Sequence, residues 1–333
     1  MKSIMFALLG LMTLVLTGCG SNNKEDQGVV SQRYVHKYGY AVSQDEWEAK
    51  NYPGQVVTLK SNGVTVTETY ENGQLHGPVS HTYPHSQTVE HYTLFNQGVK
   101  VKEIFYDITG MPVEEYVKLS PTRHSVTKWF AEGSPMLVEE FVGEELLDGQ
   151  YFTLNNEVET RIEKGIGLRT ERDRSGTLIA REVFEQGYPV KRETYYTDGA
   201  PESIAYYFRN CLHGEKRTYA KTGEPLAIEE WVNGQLHGKS TYFKTGVRYL
   251  EIGYLYGQKN GLERHYIDGN ILSQEIVWNN GHKHGPSVYF IDGRPEKQWF
   301  YDGEAVSKNK FDEMMQLDEM ITNNSSLLAP QRH

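Results

Sequence analysis

Several scarcities narrow the chain before any motif is considered. Two cysteines stand in 333 residues, Cys19 and Cys211, too few for a disulfide-stapled scaffold. Proline is limited to 12 residues against 32 glycines, a balance that favours many tight turns over disorder. Hydrophobic residues make up 38%, little for a thick aliphatic core. Basic charge is short: 34 Lys and Arg face 44 Asp and Glu, a formal net charge of −10. Nucleic acid and anionic lipid headgroups are therefore poor partners for the body of the protein. No GxSxG, HExxH, P-loop or zinc-ribbon spacing occurs, so neither a catalytic centre nor a cofactor is expected.

What is present begins at the N-terminus. Lys2 precedes an apolar stretch, Ile4 to Leu16, too short to span a bilayer comfortably. It ends in Leu16-Thr17-Gly18-Cys19, which resembles the bacterial lipobox. The resemblance implies a lipoprotein signal over residues 1–18, cleavage before Cys19 and a diacylglycerol on its thiol, with residues 19–30 as a flexible tether. Each buried methylene of such an anchor contributes about 0.8 kcal/mol. Gly20 in place of Asp after the cysteine implies transit to the outer membrane, facing periplasm or cell surface. Cys211 is then a lone thiol, expected to be buried.

The body is periodic. NGQLHG occurs at Asn72–Gly77 and again at Asn233–Gly238, 161 residues apart, which is seven periods of 23. One series of turn glycines runs through Gly176, Gly199, Gly223, Gly246, Gly269 and Gly293 in steps of 23 or 24. It extends back to Gly133, Gly110 and Gly63, with the glycine replaced near His85-Ser86 and Asn155-Asn156. A second series interleaves: Gly73, Gly98, Gly143, Gly165, Gly187, Asn210, Gly234, Gly257, Gly281 and Gly303, missing only near Ser120-Pro121. Segments between are rich in Tyr, Trp, Phe, Val, Ile and Thr, which are strand formers. Two turns and two strands per period predict an all-β fold, an elongated single-layer antiparallel meander of about eleven 23-residue β-hairpin repeats over residues 62–306. Gly77, Gly214, Gly238, Gly261 and Gly285, each closing an Asn-Gly-x-x-His/Asn-Gly-like loop, are expected to help reverse the chain.

The ends differ from the middle, as repeat arrays require. Residues 31–61 read as an N-terminal cap, where Ser43 and Glu46 form a capping box before Trp47. Residues 307–333 read as a C-terminal helix and polar tail, with Phe311, Met314, Met315, Leu317, Met320 and Ile321 largely on one face, covering the last sheet edge.

Written as aromatic-x-Asn-Gly-x-x-His/Asn-Gly-x-x-x-x-Tyr-x-x-x-Gly, as in WVNGQLHGKSTYFKTG and WNNGHKHGPSVYFIDG, the repeat resembles the bacterial MORN-repeat variant family, some of whose members carry a YwqK-type antitoxin label. The resemblance covers residues 62–303 and degrades from Ser120 to Arg174. It implies an interaction or membrane-associated scaffold. The antitoxin label fits badly, because an exported, lipid-anchored protein does not meet a cytoplasmic toxin.

Histidine is the tempting chemistry, because His76, His213, His237 and His284 share one position of the loop. Equivalent residues of adjacent repeats lie roughly 10 Å apart, whereas one metal needs ligand nitrogens about 2.0–2.1 Å away. No metal site is therefore expected. Paired acids at Glu114-Glu115, Glu139-Glu140 and Glu229-Glu230 follow the repeat, and adjacent strand residues point to opposite faces, which argues against a catalytic dyad. Specificity is expected where the repeat breaks, in Ser120–Arg174, with Trp129, Phe130, Glu139, Glu140, Glu144 and Glu145 as candidate contacts for a partner. The expectation is a lipid-anchored scaffold that binds another envelope protein or a glycan; homo-oligomerisation through sheet edges is the alternative, and a hydrolytic enzyme is the least favoured.

Overall fold

The computed structural model describes residues 28–291 and 293–327. They form one open antiparallel sheet of 27 strand segments with two helices. The first described element is β1 (Val29–His36), which lies between β2 (Ala41–Val42) and β3 (Gly54–Lys60). From β3 onward each strand pairs with its sequence neighbour up to Glu304–Val306. The segment expected as an N-terminal cap is thus partly sheet.

The two turn series build the two long sides of the sheet by different chemistry. On one side, loops such as Asp107–Met111 place glycine fourth: Gly110 N–H donates to Asp107 O and Asp107 N–H to Met111 O. Gly110 sits at φ +84, and the ladder slips by one residue between Phe105 and Tyr106, the signature of a glycine bulge. Where that glycine is replaced, His85 (φ 55) and Asn156 (φ 61) take its left-handed conformation. On the other side the loops have two residues, as in Asn72-Gly73 and Asn233-Gly234, with both at positive φ. That geometry matches the twist of the flanking strands. Successive loops of this side are bonded to each other: Gly234 N–H donates to Leu212 O, Gly257 to Leu236 O and Gly281 to Lys259 O, each at 2.8 Å.

Gly77, Gly214 and Gly261 do not reverse the chain; they lie inside strands, and Gly238 and Gly285 open strands. All five keep positive φ, and near Gly77, Gly214 and Gly261 the pairing register shifts. They are β-bulges with two extra residues on the glycine strand, as where Leu75 to Val79 stand against Tyr70 to Glu68, and the left-handed glycine lets the strand twist there. Of the glycines expected as turns, Gly73, Gly199, Gly223, Gly234, Gly246, Gly269, Gly281 and Gly293 do stand in loops.

Helix α1 (Gln44–Lys50) is capped by Ser43 Oγ, which accepts from Glu46 N–H at 3.3 Å. Its Trp47 is buried between Tyr34 and Tyr70. Helix α2 (Lys308–Leu327) lays Phe311 against Trp299, Tyr301 and His284, and Met315 Sδ is 3.3 Å from His284 Nε2.

A single layer leaves little interior, and the buried side chains form mostly a thin spine along the sheet. Ser240, Ile252, Glu263, Ile276 and Ser287 illustrate it. One compact core breaks that rule: Leu137, Leu146, Tyr151, Ile162 and Phe184, with Phe141 packed against them. It exists because the sheet winds upon itself there. Arg174 Nη2 is 2.9 Å from Asp107 Oδ2, although their loops stand six strands apart, roughly 29 Å in a flat sheet. The Ala131 N–H likewise donates to Arg174 O at 2.9 Å across four strands, about 19 Å if flat.

Candidate binding cleft

Winding pinches the two-residue-loop side. Leu146 N–H donates to Gly187 O at 3.0 Å, Gly187 N–H to Gly165 O at 2.9 Å and Gly165 N–H to Leu147 O at 2.7 Å. The strand start at Leu146-Leu147 and the loops at Gly165 and Gly187 thereby close into a backbone ring. Gly165 and Gly187 are buried, unlike Gly73 or Gly234 in equivalent loops. A Cβ on Gly165 would stand 2.5 Å from Gly187 N, and one on Gly187 would stand 2.9 Å from Glu145 Cβ. Only glycine permits loops to approach so closely.

Beside the ring opens a cleft of about 1070 Å³. Glu144, Glu145 and Glu185 supply carboxylates, Lys164 and Arg209 cations, Gln186 and Asn210 amides, and Tyr188 and Phe208 aromatic rings. The Tyr188 hydroxyl donates to Glu145 Oε1 at 3.2 Å, and desolvation with the adjacent Glu145 carboxylate raises its pKa. Cys211 lines the same cleft and is exposed. The expectation that its thiol is buried is corrected: it follows directly on the Arg209-Asn210 loop, where the strand has only begun to be covered.

The wall behind the cleft holds a charged network. Tyr151 O–H donates to Glu139 Oε1 at 2.8 Å. Arg169 reaches Glu139 through Nη2 at 3.3 Å and Glu182 through Nη1 at 3.3 Å. Arg192 bridges Glu182 (2.6 Å) and Glu171 (2.8 Å). Burial, then the Glu139 charge, pushes the Tyr151 hydroxyl far above its ordinary range, so it remains a hydrogen-bond donor. Burial alone would weaken Arg169's charge, but Glu139 and Glu182 more than offset it and its pKa is raised.

The six residues expected at the broken repeat divide accordingly. Phe130 is fully buried and Glu139 is 2% exposed within the network, so neither is available to a partner; winding, invisible in the local pattern, turns them inward. Trp129 is half-buried, and Glu140 is held by Arg123 Nε at 2.7 Å. Glu144 and Glu145 are exposed and reach the cleft. Lys164, Gln186, Tyr188, Phe208 and Arg209 join them from outside that set; their signal in the sequence is that Lys, Gln and Arg occupy a loop position filled by Asn in Asn72, Asn233 and Asn280. Cys19 lies outside the described residues, as do the signal segment, most of the tether and the end of the tail.

The loop histidines serve the sheet. His76 Nδ1 accepts from Gln97 N–H at 3.2 Å and His284 Nδ1 from Asp302 N–H at 3.3 Å, each reaching the next loop of its side. His237 packs against Tyr256 at the equivalent place. Among the described residues no cluster of three or more His, Cys, Asp or Glu side chains is arranged to hold a metal.

No family model matches the chain, and no curated protein matches it. Among solved structures it is similar to TarM, at 16% identity and TM-score 0.18 over 34% of this chain and 19% of that one. A mutant of S. aureus TarM in complex with Fondaparinux, alpha-GlcNAc-glycerol and UDP gives 15% identity and TM-score 0.19 over 36% and 21%. A TcdB2-TccC3-Cdc42 structure gives 11% identity and TM-score 0.18 over 82% of this chain and 21% of that one. The chain spans about a fifth of each of these proteins, and likenesses at such scores carry no argument.

Proposed function

We propose that the protein is a lipid-anchored scaffold of the bacterial envelope, a MORN-like repeat sheet that binds another envelope component. The observation that carries this reading is the sheet: residues 29–306 form one continuous, loop-stapled surface that offers exposed aromatic and charged side chains and a cleft. Such a surface suits binding better than catalysis. The lipobox at Leu16–Cys19 supports the anchor, and the turn-plus-bulge unit Asn-Gly-x-x-His-Gly supports the family resemblance. Cys19→Ala is expected to abolish palmitate labelling and membrane fractionation. Unchanged labelling would remove the anchor from the account.

A second reading, edge-to-edge self-assembly, is favoured among the described residues by the edge of β1. Val29 and Val30 of β1 are 61% and 63% exposed, and β2 covers only Tyr34 and Val35, whereas α2 packs on the opposite end. Light scattering on protein beginning after Cys19 separates the readings: a monomer at every concentration counts against assembly.

A further inference from the structure

The cleft loops gather one departure from the Asn-Gly loop. Along their side of the sheet, nine two-residue loops hold both residues at positive φ, and the first is Asn or Asp at Asn72, Asn233, Asn280 and Asp302. Around the cleft three consecutive loops place Lys164 (φ 53), Gln186 (φ 52) and Arg209 (φ 47) there. Arg209 is followed by Asn210 at φ 63, so that loop has no glycine at all. Long side chains in the left-handed region are strained, and strain of this kind gathers at functional sites. Gln97 and Tyr256 share the strain elsewhere, but Tyr256 is matched by its packing on His237. The side chains of Lys164 and Gln186 make no hydrogen bond or ion pair among the described residues, and Arg209 stands 5.5 Å from the Phe208 ring and near enough to Tyr188 for its charge to be felt there.

We propose that this cleft binds a neutral, hydroxyl-rich oligosaccharide, hydrogen-bonded by Lys164, Gln186, Arg209 and Glu144 and stacked on Phe208. The proposal rests on the scaffold reading above and names its ligand class. Charges of both signs line the cleft, so a polyanion would meet three carboxylates and a polycation two cations. Hydroxyl groups both donate and accept, and thus satisfy both sets. Phe208, 56% exposed, offers an apolar ring to the C–H face of a sugar. An extended peptide would need a free backbone ladder, but the amides of Leu146, Gly165 and Gly187 are already spent on one another. A volume of about 1070 Å³ is just above the ~300–1,000 Å³ usual for ligand sites, and suits several sugar units.

The test is an array of neutral and acidic oligosaccharides, with short peptides alongside, followed by calorimetric titration of the strongest neutral probe. Neutral oligosaccharides are expected to bind, with Phe208→Ala and Arg209→Ala each weakening affinity about ten-fold or more and Tyr256→Ala leaving it unchanged. Arg209→Gly is expected to raise Tm while weakening binding, a combination that a purely structural loop does not give. The proposal is overturned by a silent array, by preference for acidic glycans or peptides, or by binding that ignores Phe208 and Arg209. A silent array with Cys19-dependent membrane fractionation and in-cell crosslinks from the sheet intact removes the cleft proposal and leaves the scaffold reading. Fractionation that ignores Cys19 removes the anchor and leaves the array result as it stands.

Discussion

Arg169→Ala tests the wound core behind the cleft. The guanidinium is the link between Glu139 and Glu182, which are 2% and 6% exposed. Removing one partner of a buried pair costs about 3–5 kcal/mol, because the remaining charge is left unpaired. Here Glu139 keeps the Tyr151 hydroxyl and Glu182 keeps Arg192, while the Arg169 side chain retains 25% of its exposure. The lower end, roughly 3 kcal/mol, is therefore expected, equivalent to about 100-fold in a local opening constant. In a repeat array contacts are between neighbours, so the loss should be local. Hydrogen exchange read by mass spectrometry should show faster exchange across 135–192 and unchanged protection over 258–301. Arg169→Met combined with Glu139→Gln and Glu182→Gln removes the charges together and should restore most of the protection. Exchange that is unaltered, or accelerated evenly along the chain, would refute the reasoning.

Three further outcomes follow from individual contacts. Asp107 is drawn down from 3.8 to about 2 by hydrogen bonds from Thr109 and Arg174; its contribution is complete above 3.8 and lost as pH falls towards 2, so NMR shifts of residues 107–111 and of Arg174 should change together in that window and not above it. Gly187→Ala and Gly234→Ala both place alanine at positive φ, a cost of about 1–2 kcal/mol, but only at Gly187 would the new Cβ meet a neighbour, so thermal melts should show Gly187→Ala as the more damaging. His284→Ala removes the acceptor of the Asp302 amide and the seat of Phe311 and Met315; proteolysis should then clip α2 faster, with the rest of the sheet intact.

The periodic part of the fold was legible because its signal is local. Asn-Gly pairs, fourth-place loop glycines and aromatic strands each dictate their own backbone, and even the substitutes His85 and Asn156 carry the left-handed φ of the glycines they replace. The bulges were misread as turns, since Gly77 and Gly73 share the same conformational demand and only pairing across strands distinguishes them. The winding was not legible. It depends on meetings such as Glu139 with Arg169, thirty residues apart, and on a backbone ring whose members, Leu146, Gly165 and Gly187, are far apart in sequence. For the same reason the residues expected at the broken repeat divide: Glu144 and Glu145 line the cleft, while Phe130 and Glu139 are buried. The cleft's other wall comes from loops beyond Arg174, in better-kept repeats, where Gln186 and Arg209 in the Asn position were the available clue, as Lys164 was within the broken block.

The winding of the sheet is the claim on which the cleft depends, and a crosslink measures it directly. Ala131 and Ser175 are exposed, and the Ala131 amide is bonded to the residue before Ser175, although a flat sheet would hold their loops about 19 Å apart. In a chain with Cys19→Ser and Cys211→Ser, Ala131→Cys together with Ser175→Cys should be joined within one molecule by a short bifunctional thiol reagent, rapidly and nearly completely. A pair that stays unlinked while the sheet remains folded would contradict the account.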